Sequence, residues 1–136
     1  MINHDKSSKA IHITLWLAQI VLAAGLLMGS IMKFFIPVEQ LSVMWPWAGQ
    51  VPVALVKFTG AVDFLGAIGL VLPSLLRIKP KLTPLAAICT IALMICASIF
   101  HILRGEASLI GVNIFFTILA GFVAWGRFLK APISSK

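Results

Sequence analysis

Four long apolar stretches, at about 10–32, 52–72, 84–103 and 107–126, dominate the pattern of the chain. A transmembrane α-helix needs about 20 consecutive, mainly apolar residues. The short segments between these stretches hold most of the lysines, arginines and prolines. The pattern therefore predicts four membrane-spanning helices, and the short connections predict that neighbouring helices run antiparallel.

The longest connection, KFFIPVEQLSVMWPWAGQ at 33–50, is too apolar for a freely solvated loop. Pro37 and Pro46 interrupt it, and the residues between them could form one short helix. Indole side chains favour the boundary between lipid and water, which suits Trp45 and Trp47. We expect an interfacial helix within 37–45.

Composition supports the same fold class. The chain of 136 residues is 60% hydrophobic and 11% charged, with a mean hydropathy of +1.06, whereas soluble proteins have about 25% charged residues. We expect one all-α, integral membrane four-helix bundle over residues 1–136, with the lipid bilayer as its solvent. Cys89 and Cys96 lie inside one apolar stretch and form no C-x-x-C motif, so they indicate neither a redox pair nor a zinc site.

The net charge of +7 would suggest nucleic-acid binding in a soluble protein. Here the basic residues lie in short segments next to the spans, where an excess of lysine and arginine marks the cytoplasmic side. Both termini are therefore expected in the cytoplasm, with no nucleic-acid partner. Eight basic residues fall on that side (Lys6, Lys9, Arg77, Lys79, Lys81, Arg127, Lys130 and Lys136), against Lys33 and Arg104 on the other.

The second span contains two ionisable residues, Lys57 and Asp63. Such residues are costly in a bilayer, and they usually face a bundle interior or a wet cavity. Small residues share the helix face of Asp63, so we expect this carboxyl group to point into protein. Lys33 and His101 are the expected partners of Asp63. Lys57 either pairs with Glu106 or extends to the outer headgroups.

Polar residues of all four spans gather in the half of the bundle away from the termini, with Asp63 near mid-depth. This arrangement predicts a polar pocket there, although each side chain could instead serve packing alone. His4, His12 and His101 lack metal-ligand spacing, so no metal site is expected. The ligand-binding candidates are Asp63, His101, Lys57, Lys33 and Asn113, with Gln19, Ser98, Thr117 and Arg104 as secondary candidates.

Several motifs occur in a fixed order along the chain: GAVDFLGAIGLVLP in the second span, LTPLAA at the start of the third, His101 at its end, and Asn113 in the fourth. Taken together with the first span, they resemble the DoxX-like family of small four-span membrane proteins. The resemblance implies a bacterial inner-membrane protein, associated with quinone-linked oxidation or with oxidative-stress systems. The family usually has glutamate where this chain has Asp63.

Three functions remain open. The first is an accessory or quinone-associated component of an oxidoreductase or oxidative-stress system. The second is a binder or transporter of a small apolar or amphipathic molecule, and the third is a non-catalytic scaffold.

Whether the chain is an enzyme also stays open, because no haem, flavin, iron–sulfur or dithiol motif is visible. Quinone is the one cofactor that the resemblance suggests. Electrons would have to come from a membrane or periplasmic partner. The GxxxG motif from Gly25 to Gly29 could pack within the bundle or form a homo-oligomer.

Overall fold

The computed structural model describes residues 2–135, which fold into helices joined by short turns. Single 3-10 turns precede two of the helices, at Pro46–Gly49 and Ala107–Ile110. The last helix continues into a π-helical turn at Gly126–Lys130. The α-helices are α1 (Ile2–Phe35), α2 (Val38–Met44), α3 (Val53–Leu76), α4 (Leu82–Leu103) and α5 (Gly111–Trp125).

Within the described residues, four segments are long and apolar enough to cross a membrane, and no strand occurs. The prediction of an all-helical protein with four spans is thereby confirmed. The four segments are Lys9–Phe35, Val53–Leu76, Leu82–Leu103 and Gly111–Lys130.

The outside of the bundle is apolar, and several polar side chains are buried among the apolar residues of its core. Large apolar side chains cover the outside, among them Leu103, Leu17 and Ile118. A soluble protein rarely exposes apolar area on this scale, so the exposed face suits lipid. Several polar side chains are buried instead: Gln19, Ser30, Asp63, Ser74, Thr83, Thr90 and Arg127.

The four long helices form a closed ring in which each packs against two neighbours, in the order α1, α3, α4 and α5. Leu22 and Leu26 of α1, Leu70 of α3, Ala87 of α4 and Val123 of α5 fill its centre. The beginning of α1 and the end of α5 therefore share one end of the ring, which we call the terminal end. The other end, which carries α2, is called the loop end. That the terminal end faces the cytoplasm stays a prediction.

Three local features differ from the sequence-based expectations. α1 begins at Ile2, well before the apolar stretch that starts at about residue 10, because no proline or glycine interrupts the helix there. Pro73 lies inside α3 and not beyond its end; membrane helices tolerate proline because neighbouring groups satisfy the freed carbonyl. Arg127, which the sequence places in a basic segment just after the fourth span, is only 3% exposed.

Small residues allow close helix contact. Gly25 packs against the ring of Phe116 in α5, and Gly29 packs against the carboxylate of Asp63 in α3. The GxxxG motif thus serves packing inside the bundle. Gly69 of α3 makes a similarly close contact with α4. A Cβ atom added at Gly69 would lie 2.9 Å from the Cβ of Ala86.

We predict that Gly69→Ala destabilises the α3–α4 contact. Ala86 Cβ is fixed to its backbone, so the helices must move apart, which costs about 1–3 kcal/mol in well-packed interiors. The matched control is Gly121→Ala, where an added Cβ meets nothing within 4 Å. Both substitutions gain the same helix propensity, so detergent-solubilised Gly69→Ala should unfold more easily than Gly121→Ala. Equal unfolding midpoints would contradict the close α3–α4 packing.

Candidate functional site

The central feature of the loop half is an ion pair between α1 and α3. Lys33 Nζ donates a hydrogen bond of 2.7 Å to Asp63 Oδ2. The two side chains are only 13% and 8% exposed. The expectation that Asp63 points into protein is confirmed. Of its two expected partners, Lys33 and His101, the structure shows Lys33.

Small residues on both helices make room for the pair. A Cβ atom on Gly60 would lie 3.1 Å from Lys33 Cβ, and one on Gly29 would lie 3.5 Å from Asp63 Oδ2. Each glycine therefore faces the charged residue of the opposite helix. Without these two glycines the backbones could not approach so closely around a pair of charged side chains.

Aromatic rings lie above the pair, toward the loop end. Lys33 Nζ is 5.8 Å from the centroid of the Trp47 ring, within the range of a cation–π interaction. Trp47 stacks on Trp45 with centroids 6.5 Å apart and meets Phe100 of α4 edge-on at 6.0 Å. The expected short helix is present as α2, and the 3-10 turn after it carries Trp47. The positions of Lys33 and Trp47 in the sequence did not indicate this contact between the ammonium and the indole ring.

A second polar cluster lies beside these rings, at the end of α4. His101 Nδ1 is 3.0 Å from Glu106 Oε2, and Arg104 binds Glu106 Oε1 through Nε at 3.2 Å and Nη2 at 3.1 Å. Arg104 also donates to Gln50 Oε1. The hydrogen bonds from Arg104, and then that from His101, hold the pKa of Glu106 below its ordinary value.

The alternative that Glu106 pairs with Lys57 is wrong. The turn at Gly105, which has a φ of +77°, returns Glu106 toward Arg104 and His101. Lys57 instead donates to the carbonyl oxygen of Phe34 at 2.8 Å. Its ammonium also lies 5.8 Å from the centroid of the Phe34 ring. Lys57 therefore binds the end of α1, apart from both polar clusters.

Asn113 of α5 has a buried amide nitrogen, Nδ2, with no hydrogen-bond partner among the described residues. Such orphaned donors are uncommon in proteins and call for an explanation. Two contacts between the antiparallel helices α1 and α5, Gly25 with Phe116 and Leu15 with Gly126, set their register. That register places Asn113 at about the depth of Gly29, and hence of Asp63.

The secondary candidates do not form one site. Thr117 donates to the backbone of Asn113 at 2.7 Å, and Ser98 donates to that of Met94 at 2.8 Å, so both hydroxyls stay within their own helices. Gln19 belongs to the terminal half, where it donates to the Leu70 carbonyl at 2.7 Å. Gln19 also accepts a hydrogen bond of 2.7 Å from Arg127.

The candidate site therefore centres on Lys33 and Asp63, with Trp47 above them. Asn113 lies at a similar depth on α5 and is a candidate because its amide nitrogen has no partner among the described residues. The site offers ammonium and amide donors beside flat aromatic surfaces. Among the described side chains, no group of three or more histidines, cysteines or acids lies together as metal ligands. The arrangement suits a ligand that accepts hydrogen bonds and carries a flat ring.

We predict that each partner of the ion pair depends on the other for its contribution to stability. Asp63→Asn or Lys33→Met alone leaves one buried charge unpaired and should cost about 3 kcal/mol. The double variant should cost less than the sum of the two by about 1–3 kcal/mol. Unfolding in detergent measures all four proteins. Additive costs would contradict a coupled pair, and Lys57→Met, which loses one hydrogen bond to a backbone carbonyl, should have a smaller effect.

We predict that Glu106 stabilises the fold least in acid. Its pKa is lowered below the ordinary 4.5 in the folded protein, so its contribution is fully present above pH 4.5 and is lost as the pH falls further. The difference in unfolding temperature between the wild type and Glu106→Gln should therefore shrink from pH 6 to pH 3. The control is Glu39→Gln, which replaces an exposed acid of α2 outside the cluster of His101 and Arg104. A constant difference for Glu106→Gln would contradict its interactions with Arg104 and His101.

Comparison with known proteins agrees with the fold. A model of the DoxX-like family matches residues 17–123, more than half of the chain. No curated protein and no solved structure matches it. The matched segment contains Lys33, Trp47, Asp63 and Asn113, and the resemblance drawn from the motifs is confirmed. The chain belongs to the DoxX-like family.

Proposed function

We propose that this protein is a quinone-associated component of an oxidoreductase or oxidative-stress system, and that it binds the quinone headgroup beside Lys33 and Asp63. The observation that carries the proposal is the ion pair, 2.7 Å long and largely buried within the spans. Apolar residues of similar volume commonly stabilise a protein as well as, or better than, a buried ion pair. Because stability alone does not require the charged pair, its presence within the spans supports a role in binding.

The residues present fit a quinone. Its headgroup is a flat ring with two carbonyl oxygens, each of which accepts hydrogen bonds. A lysine ammonium has three donors, of which Asp63 takes one, and the amide nitrogen of Asn113 is unpartnered within the described part of the chain. Trp47 and Phe100 add flat aromatic surfaces next to Lys33. A bound quinone supplies electron-carrying chemistry, while these side chains bind and orient it.

We propose that the loop end of the bundle faces the periplasm. The protein lies in the bacterial inner membrane with its termini in the cytoplasm, so the polar pocket opens in the outer half of the bundle. A membrane or periplasmic protein exchanges electrons with the quinone.

A non-catalytic scaffold is the second candidate, and the ion pair also favours it. Lys33 and Asp63 satisfy each other, so they can fix the register of α1 against α3 without any ligand. The unpartnered amide of Asn113 separates the two candidates, since a scaffold gains nothing from it. A binder of another amphipathic molecule would use the same donors.

We predict that the purified protein binds a short-chain quinone in detergent, with saturable quenching of tryptophan fluorescence. Asn113→Leu, which removes the unpartnered donor at similar volume, should weaken binding by about 10-fold, the equivalent of one hydrogen bond of about 1.4 kcal/mol. The matched control is Gln40→Leu, which replaces an exposed amide of α2 and should leave the affinity unchanged.

Mass spectrometry of lipid extracts from the purified protein tests the same site without added ligand. Co-purified quinone that is depleted in Asn113→Leu but not in Gln40→Leu would support the proposal. A different amphipathic molecule with the same dependence would replace quinone as the ligand. Absence of saturable quenching, or equal affinity in both variants, would overturn quinone binding at this site and favour the scaffold.

A further inference from the structure

The terminal half of the bundle contains a second buried charge, Arg127, and its neighbours are neutral. The guanidinium donates to Gln19 Oε1 through Nε at 2.7 Å and to the Ala131 carbonyl through Nη1 at 2.9 Å. It also lies 5.7 Å from the centroid of the Trp16 ring. None of these groups carries a negative charge to balance it.

The described carboxylates are engaged or located elsewhere. Asp63 pairs with Lys33, and Glu106 pairs with His101 and Arg104. Glu39 lies on α2 at the loop end. Among the side chains that the structure describes, Arg127 thus has no acidic partner, although an unpaired buried charge is strongly unfavourable.

His12 extends this cationic cluster. Arg127 Nη1 lies 3.0 Å from His12 Nδ1, and a guanidinium can only donate. Nδ1 must therefore accept the hydrogen bond, which makes the imidazole neutral and places its proton on Nε2. His12 thus keeps one N–H donor that Arg127 does not use.

A cavity of about 410 Å³ adjoins His12 at the terminal end. A second guanidinium, that of Arg77, lines it and is anchored by a hydrogen bond of 2.9 Å from Nε to the Ser134 carbonyl. The end of α3 contributes a partial negative charge of about half a unit, which two guanidinium groups outweigh. The cavity also has apolar walls, provided by Trp16, Leu75 and Ile133.

We propose that this cavity binds a phosphate group carried by an anionic lipid of the adjacent leaflet. Arg77 and the His12 N–H bind the phosphate, and Arg127 behind His12 supplies positive potential. Guanidinium groups are well suited to phosphate oxygens, and the volume lies within the range of small-ligand sites. Trp16 and Leu75 contact the apolar part of the lipid. This site is separate from the one proposed for quinone.

The test compares lipid retention by the full-length protein. Native mass spectrometry in mild detergent, with phosphatidylglycerol and phosphatidylcholine in equal amounts, should show preferential retention of the anionic lipid. Arg77→Gln should reduce that preference by about 10-fold, since it removes a charge-assisted bond. Arg127 is buried, so replacing it would also affect folding. His12→Ala is therefore the second variant and should also reduce the preference.

Lys130→Gln is the matched control, because it removes one positive charge from the same end but outside the cavity lining. Equal retention of both lipids, or an equal effect of Lys130→Gln and Arg77→Gln, would overturn the proposal. A separate arm adds glycerol phosphate to delipidated protein and follows the unfolding temperature. Saturable stabilisation that disappears in Arg77→Gln, without any lipid preference, would keep the phosphate site but overturn a lipid as its source.

Discussion

The bilayer core contains no water, so every polar group there needs a partner within the protein. The ion pair between Lys33 and Asp63 meets this requirement in the loop half. It joins α1 to α3 at the depth where Gly29 and Gly60 bring their backbones close. Lys33 also lies against the Trp47 ring, which in turn contacts Phe100 of α4. The ion pair thus joins the close α1–α3 packing to the candidate site.

The two ends of the bundle differ in whether their buried charges are paired with opposite charges. At the loop end, each described acid in the two clusters has a basic partner, so the clusters are close to balanced. At the terminal end, Arg127 is held by an amide, an imidazole and a carbonyl, which orient it without neutralising it. A balanced site can receive a neutral ligand, such as a quinone headgroup, without a large electrostatic cost. A site with excess positive charge favours an anion.

The sequence was sufficient to predict the four spans, because the length and apolarity of each stretch determine them. It also predicted that Asp63 faces protein, since small residues share its helix face. It left Lys33 and His101 as alternatives, because the depth of a partner depends on how the helices are offset. The burial of Arg127 was not predicted for a related reason: the sequence shows only a basic residue next to the fourth span, whereas the helix continues past Trp125 and turns Arg127 toward Gln19. Hydrophobicity alone carries no information on such tertiary contacts.

The order in which the chain is synthesised suits the ion pair. The chain is synthesised from its N-terminus, so α1 exists before α3. Lys33 lies in the last turn of α1, where a long side chain can extend its ammonium to the membrane surface while it is still alone. Asp63 lies in the middle of α3, where its short side chain cannot reach the membrane surface. It is synthesised only after Lys33 is in place. Lys33, with its long side chain, is therefore made first and can keep its ammonium at the membrane surface. Asp63, whose side chain is short and deeply placed, enters the membrane when its partner is already present.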